Sequence, residues 1–193
     1  MKSVWDKQFL KQNYYRTKEI SFAQEVIEHA PGKRLLDLGC GQGQDSIFFA
    51  ERGFSVTAMD WSREALRSII DKRIKKICGD MRDLSAFKQF DVVYSVFSIH
   101  FFKIEDTKKI IDQIQHLLKP GLFALIAKNT EDKYCGKGQQ IAENTYIYDN
   151  VLRHFFTEKE IKGLLKNFTI MSFKEEKLDG TTSYWKILAK ARS

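Results

Sequence analysis

Proline is nearly missing from this chain, with 2 residues in 193, and glycine is sparse at 11. Together they fall far below the roughly 25% that marks low-complexity chains, which excludes disordered and fibrous classes. With 43% apolar residues, a chain of this length can bury a core, and a prior of about 150 residues per domain predicts a single domain over 1–193. Cysteine is also scarce. Cys40, Cys78 and Cys135 are odd in number, far apart and form no C-x-x-C pair, which argues against a disulfide framework and a metal site. No apolar run of ~18 residues occurs, and MKSVWDKQFLKQNYY has no apolar stretch of ~7 to 15. The expectation is a soluble, cytoplasmic protein with reduced thiols, no membrane span and no signal peptide.

Charge of one sign is in excess, 32 basic against 25 acidic residues for a net +7. Such a balance raises nucleic acid as a partner. The excess is spread evenly, +3 in residues 1–96 and +4 in 97–193, so no basic tail stands out.

What the chain does contain is a rhythm of short aliphatic runs, turns and helix-spaced segments, which predicts an α/β fold with a parallel sheet covered by helices. Strands are expected at 34–39, 55–60, 74–78, 91–98 and 122–128. Helices are expected at 44–53, at 62–70 with Ser62 as N-cap, and at 105–118, where the Lys119-Pro120-Gly121 turn ends the run. Residues 1–29 read as a helical cap of one or two amphipathic helices, 30–128 as the core, and 129–156 as an insertion of weak periodicity. A capping box at Thr157 and Glu160 opens a helix, and 168–176 with 183–190 read as a strand pair.

The chemistry concentrates in LLDLGCGQGQDS. Here Asp37, Gly39, Gly41 and Gly43 alternate between a strand and a helix, so the backbone can turn sharply and approach a ligand closely beside free helix N–H groups. The dinucleotide pattern G-x-G-x-x-G would need Gly or Ala at Gln44 or Ser46, and neither has it. Another adenosine cofactor is favoured.

These residues resemble the first motif of the class I S-adenosylmethionine-dependent methyltransferases, and the others follow in order over roughly 30–130. The resemblance implies a three-layer α/β/α Rossmann-like sandwich. Its mostly parallel seven-stranded sheet would have the order 3-2-1-4-5-7-6, with strand 7 antiparallel. It implies S-adenosylmethionine as cofactor and S-adenosylhomocysteine as product. Asp60, ending the second strand, would hold the ribose hydroxyls. Cys78-Gly79-Asp80-Met81 would place Asp80 near the adenine amino group with Met81 as apolar neighbour, and Trp61 would stack on or edge the adenine. Ser95 and Val96 would lie beside the methionine part, and Cys40 within the loop. A looser likeness, in GCGQGQDSIFFAERG and in HFFTEKEIKGLL with YWKILAK, is to small-molecule methyltransferases of the tellurite-resistance and thiopurine-like type.

Methyl transfer from a sulfonium needs alignment above all, and a base only where the acceptor stays protonated. His100, just after the fourth strand, is the best placed candidate, with His154 and Tyr134 behind it. His29 and His116 read as structural, and Asp83 as a turn cap. Trp5, Phe9, Tyr14 and Tyr15 form either a lid or a packed amphipathic helix. The fourth strand reads SVFS and lacks the (Asp/Asn/Ser)-Pro-Pro-aromatic sequence of nucleobase amino methylation in this fold. A small-molecule acceptor is therefore expected. The alternatives are an RNA or protein methyltransferase that uses Lys72, Arg73, Lys75, Lys76, Lys103, Lys108 and Lys109, a cofactor-binding module without activity, and a nicotinamide oxidoreductase.

Overall fold

The computed structural model describes residues 2–11, 20–118 and 120–192. Tyr14 and Tyr15 of the N-terminal aromatics, and Lys119 of the expected turn, lie outside the described residues. The described strands are β1 (Arg34–Leu38), β2 (Ser55–Asp60), β3 (Lys75–Cys78), β4 (Val92–Val96), β5 (Leu122–Lys128), β6 (Gln139–Ala142), β7 (Thr145–Tyr148), β8 (Val151–His154), β9 (Phe168–Leu178) and β10 (Thr182–Ala191). The helices are α1 (Lys2–Lys11), α2 (Ile20–His29), α3 (Gln44–Glu51), α4 (Arg63–Arg67), α5 (Ile104–Leu117) and α6 (Glu158–Leu164).

The main sheet has the order β3-β2-β1-β4-β5-β10-β9. Counted within this sheet, that is 3-2-1-4-5-7-6. Strands β1 to β5 pair in parallel, and β10 runs antiparallel to both β5 and β9. The sheet is the middle of three layers because its central strands are apolar on both faces. In β5, Leu122, Ala124 and Ile126 pack into one core cluster while Phe123, Leu125 and Ala127 pack into the other. The first cluster takes Phe22, Ala23 and Val26 of α2 and Phe48 and Phe49 of α3. The second takes Ile110, Ile111 and Ile114 of α5 and Ile161 of α6. Helix α5 shows why the sequence folds this way: its isoleucines recur at helical spacing, while Glu105 and Asp106 in its first turn suit the positive end of the helix.

Both predicted caps form. Ser62 Oγ accepts the Ala65 N–H at 3.2 Å, and Thr157 and Glu160 make a reciprocal capping box at 2.8 and 3.2 Å. Helix α4 is shorter than expected, five residues in place of nine. The insertion holds more order than its periodicity suggests. Strands β6, β7 and β8 form a separate antiparallel sheet, with Asn144 and the Asp149-Asn150 pair at positive φ making the two turns. Among the described residues no helix is long and apolar enough to cross a membrane.

Strand β1 is where the sheet changes direction. The chain adds β2 and β3 on one side, then crosses to add β4 and β5 on the other. Loops leaving β1 and β4 therefore diverge, and a crevice opens at the carboxyl ends of the strands.

Ile126, 1% exposed in β5, packs into the α2/α3 layer. Ile126→Ala should cost about 2–5 kcal/mol of unfolding free energy in urea titrations. A loss below about 1 kcal/mol would show that this layer is not packed as described.

Candidate active site

The glycine loop after β1 is tied to the neighbouring strand. The N–H groups of Gly39 and Cys40 both donate to the Met59 carbonyl, at 2.8 and 3.1 Å. Gly39 has φ of +74°, and a Cβ there would stand 2.4 Å from the Ser98 Cβ, so no side chain fits between the loop and the turn after β4. Gly41, at φ +54°, donates its N–H to Asp60 Oδ2 at 3.0 Å. Asp60 Oδ1 accepts the Ser62 N–H at 2.8 Å. Burial pushes the Asp60 carboxyl above its ordinary pKa; the N–H donors of Ser62 and Gly41 oppose this, and Asp6 adds to it. Burial, with the carboxylates of Asp37 and Asp60, holds the Cys40 thiol well above its usual range, so it stays protonated and unreactive.

Loop and Asp60 form one wall of a cavity of about 660 Å³, within the range of about 300–1,000 Å³ that small-molecule sites occupy. Trp61, Met81 and Phe102 supply an apolar stretch beside Asp60, with the Trp61 and Phe102 rings 5.5 Å apart. Helix α1 closes over the loop. Phe9 lies 3.5 Å from where a Gly41 Cβ would be, and Trp5 meets Phe101 edge-on at 4.6 Å.

The turn after β4 carries the centre of the site. Phe97 has φ of +52°, a conformation that is strained for a bulky residue and concentrated at functional sites. It is fixed by its N–H donating to the Ile126 carbonyl at 2.9 Å and by Tyr184 at 5.2 Å. This kink delivers His100 into the cavity wall. His100 is fully buried, and among the described residues neither ring nitrogen has a hydrogen-bond partner. Buried polar atoms are nearly always paired, so these two nitrogens at a cavity wall are available to whatever fills the cavity. Burial, then the charges of Lys128, Arg153 and His154, hold the imidazole well below its ordinary pKa. At neutral pH it is an uncharged ring able to donate one hydrogen bond and accept another.

Lys128, which ends β5 three strands away from Asp60 at the end of β2, lines the cavity together with Lys133, Tyr134 and Arg153. Burial lowers the Lys128 pKa, against the opposing effect of Asp132, which accepts its ammonium at 2.6 Å. Arg153 donates to the carbonyls of Tyr148 and Val151 at 2.9 and 3.3 Å.

Of the candidate cofactor-binding and catalytic residues, Gly39, Cys40, Gly41, Asp60, Trp61, Met81, Val96, His100 and Tyr134 meet at this cavity, and five others do not line it. Asp37 is buried beneath the loop, accepting Ser46 Oγ at 2.6 Å and so bracing β1 against α3. Gly43, at φ +77°, has no room for a side chain, since a Cβ there would stand 2.4 Å from Ile69 Cδ1. Ser95 is buried, its Oγ 2.6 Å from that of Ser98, which donates to the Leu38 carbonyl. Asp80 borders a second hollow beside β3 and is paired with Arg82 at 2.5 Å. Burial pushes its carboxyl up, but the Arg82 hydrogen bonds outweigh that and hold it low. His154 is buried outside the cavity, its Nδ1 2.8 Å from Thr145 Oγ1 and its Nε2 3.5 Å from Glu160. Phe97, Lys128, Lys133 and Arg153 carried no motif and were not singled out.

Residues 35–121 match a family model described as methyltransferase domain. The "Cypemycin N-terminal methyltransferase" of Streptomyces sp is 38% identical over 109 residues, 52% of this chain and 44% of that protein. The "Probable S-adenosyl-L-methionine-dependent methyltransferase TehB" of Haemophilus influenzae is 25% identical over 150 residues, 74% of this chain and 48% of that protein. The chain thus spans about half the length of the curated relatives it matches. Burkholderia thailandensis 1,6-didemethyltoxoflavin-N1-methyltransferase, solved with bound 1,6-didemethyltoxoflavin and S-adenosylhomocysteine, superposes with a TM-score of 0.76 at 21% identity. That match covers 100% of this chain and 87% of that one.

The depressed His100 pKa has a measurable consequence. Below an imidazole's unfolded value of about 6.5, the unfolded chain takes up a proton that folded His100 refuses, so stability is present above that pH and lost beneath it. His154, also lowered chiefly by burial, acts in the same direction. Urea midpoints should fall between about pH 7.5 and 5.5, and His100→Phe should remove part of that fall. Equal slopes for the two proteins would contradict a buried neutral imidazole.

Proposed function

From a methyltransferase domain at residues 35–121, we propose that this chain transfers a methyl group from S-adenosylmethionine to a small-molecule acceptor. The observation that supports it most is the convergence, at one cavity, of a glycine loop from β1, a buried carboxylate ending β2 and a buried orphan imidazole after β4.

The residues suit the cofactor. Asp60 has a carboxylate positioned at the cavity wall to accept ribose hydroxyls, each able to replace a backbone N–H it now holds. Trp61, Met81 and Phe102 offer the apolar surface an adenine ring needs. The backbone at Gly39 and Gly41 allows close approach. Bound S-adenosylmethionine would supply a methyl on a sulfonium whose positive charge already activates the leaving group for in-line displacement.

The chain's own contribution is alignment and dryness. Holding two reactants in line is worth on the order of 7–11 kcal/mol of barrier in favourable cases. Trp5 and Phe9 cover the loop and exclude water from it. His100, uncharged at neutral pH, orients the acceptor by accepting its hydrogen bond, and the surroundings that keep it uncharged make it a weak base, which suits an acceptor that carries no proton to remove. Tyr134 borders the acceptor's end of the cavity. Asp80, turned to Arg82, reaches adenine only by giving up that pair. A cavity of about 660 Å³ suits a small acceptor, while the basic residues of the alternative reading are spread along 72–76 and 103–109, and Arg73 is already paired with Asp71 at 2.6 Å.

Calorimetry should show binding of S-adenosylmethionine and S-adenosylhomocysteine and none of NAD. Asp60→Ala and Gly41→Val should each weaken binding at least tenfold, or about 1.4 kcal/mol. Binding of NAD alone, or unchanged affinity in both variants, would overturn the reading.

A further inference from the structure

Phe97 occupies a backbone position that favours glycine. Its φ is +52°, and a bulky side chain held there costs folding free energy that glycine would not. The ring is only half-buried and lines the cavity, so the fold gains less from it than from a phenylalanine packed in the core. A turn of this shape needs no aromatic ring, whereas a cavity that holds a flat molecule does.

The neighbouring rings continue the surface. His100 stands 6.1 Å from Phe97 at 83°, so the two nearly perpendicular planes make a corner, and Phe101 follows 4.2 Å from His100. Trp5 of α1 closes the row 4.6 Å from Phe101, and all four rings line the cavity with Tyr134. Such a row favours an aromatic partner, which can stack on one ring and meet the next edge-on. Within it stands a single imidazole, fully buried and, among the described residues, unpartnered at both nitrogens. A phenylalanine in its place would leave no polar atom unpaired, so the imidazole is explained by a ligand that bonds to it. Burial keeps it neutral, with one N–H and one lone pair, and its complement is a carbonyl or an N–H on the edge of that ligand.

The charges of the cavity disfavour a charged acceptor. Lys128 and Lys133 already have carboxylates, Asp132 at 2.6 Å and Asp179 at 3.9 Å, and an anion would have to displace one of them from either lysine. A cation would meet both lysines and Arg153 along the same wall.

We propose that the acceptor is a flat, uncharged heteroaromatic molecule, seated in the corner between Phe97 and His100 and hydrogen-bonded to the imidazole by an N–H or carbonyl on its edge. This deepens the methyltransferase reading and rests on it for the transfer. A ring lone pair of the acceptor forms the bond to the methyl carbon while the C–S bond breaks and its electron pair stays on sulfur. The positive charge of the sulfonium passes to the methylated ring, which sheds it as a proton to water after release where it carries an N–H. The corner of Phe97 and His100 stands on its own geometry.

Calorimetry on the intact protein, with and without S-adenosylhomocysteine, tests this with four probes. Benzimidazolone is flat, uncharged and edged by N–H and carbonyl groups. Its cyclohexane-fused counterpart keeps that edge and loses the flat ring, indene keeps the flat shape and loses the polar edge, and benzimidazolone carboxylate adds a negative charge. Benzimidazolone should bind tenfold or more tighter than the cyclohexane-fused probe and no weaker than the carboxylate. Phe97→Gly, which meets the positive φ without strain, should cut the preference for the flat ring fivefold or more. His100→Phe should weaken benzimidazolone fivefold or more and leave indene unchanged. Equal binding of the flat and cyclohexane-fused probes, a carboxylate that binds tenfold tighter, or preferences that survive both substitutions would overturn the proposal. If the preferences hold and S-adenosylhomocysteine does not bind, the methyltransferase reading falls and the acceptor corner stands. If S-adenosylhomocysteine binds and no preference appears, the corner falls and that reading stands.

Discussion

The reversal of strand order at β1 is the constraint from which the site follows. Because β2 and β4 flank β1 in parallel while their connections depart to opposite sides, no helix can cover the carboxyl ends of all three strands. Backbone there must turn without regular hydrogen bonds, and each turn is anchored individually: Gly39 and Cys40 to the Met59 carbonyl, Gly79 to the Asp60 carbonyl, Phe97 to the Ile126 carbonyl. The glycine loop and the strained Phe97 are the local means of meeting that demand. Their close approach, a Gly39 Cβ position within 2.4 Å of Ser98, joins the two halves of the cavity.

Several features of the cavity lower the stability of the fold and are intelligible only through function. Asp60 is a carboxylate whose burial raises its pKa, so its ionised form costs folding free energy at neutral pH despite two backbone donors. His100 leaves two ring nitrogens unsatisfied. Lys128 is an ammonium whose proton affinity burial reduces. A chain selected for stability alone would replace such groups by apolar ones. Their gathering at one cavity is what the proposed binding role would explain.

The parallel strands, the helices that cover them and the two caps were legible because they are written in local periodicity and in short-range residue pairs such as Thr157 with Glu160, whereas the strand order came only from the family resemblance. The glycine loop was legible from the alternation of Gly39, Gly41 and Gly43 between a strand and a helix, whereas Asp60 was singled out only by the family resemblance. Asp80 was harder, because a neighbour only two residues on, Arg82, captures its carboxylate. The strands of 139–154 were obscured since β6 is exposed on both faces and carries no alternation of apolar and polar residues. The basic residues of the cavity were illegible in principle. Lys128, Lys133 and Arg153 span 25 positions with no common motif, and only the docking of the insertion beside β5 brings them round Tyr134.

The central claim is that the crevice made at β1 holds an adenosine cofactor on Asp60 with the acceptor side toward His100 and Arg153. A crystal structure of the protein with S-adenosylhomocysteine tests it most directly. The account predicts the ligand in this cavity, its ribose hydroxyls on the Asp60 carboxylate and its sulfur facing the end lined by His100, Tyr134 and Arg153. Ligand bound elsewhere on the chain, or in this cavity with its ribose away from Asp60, would contradict it.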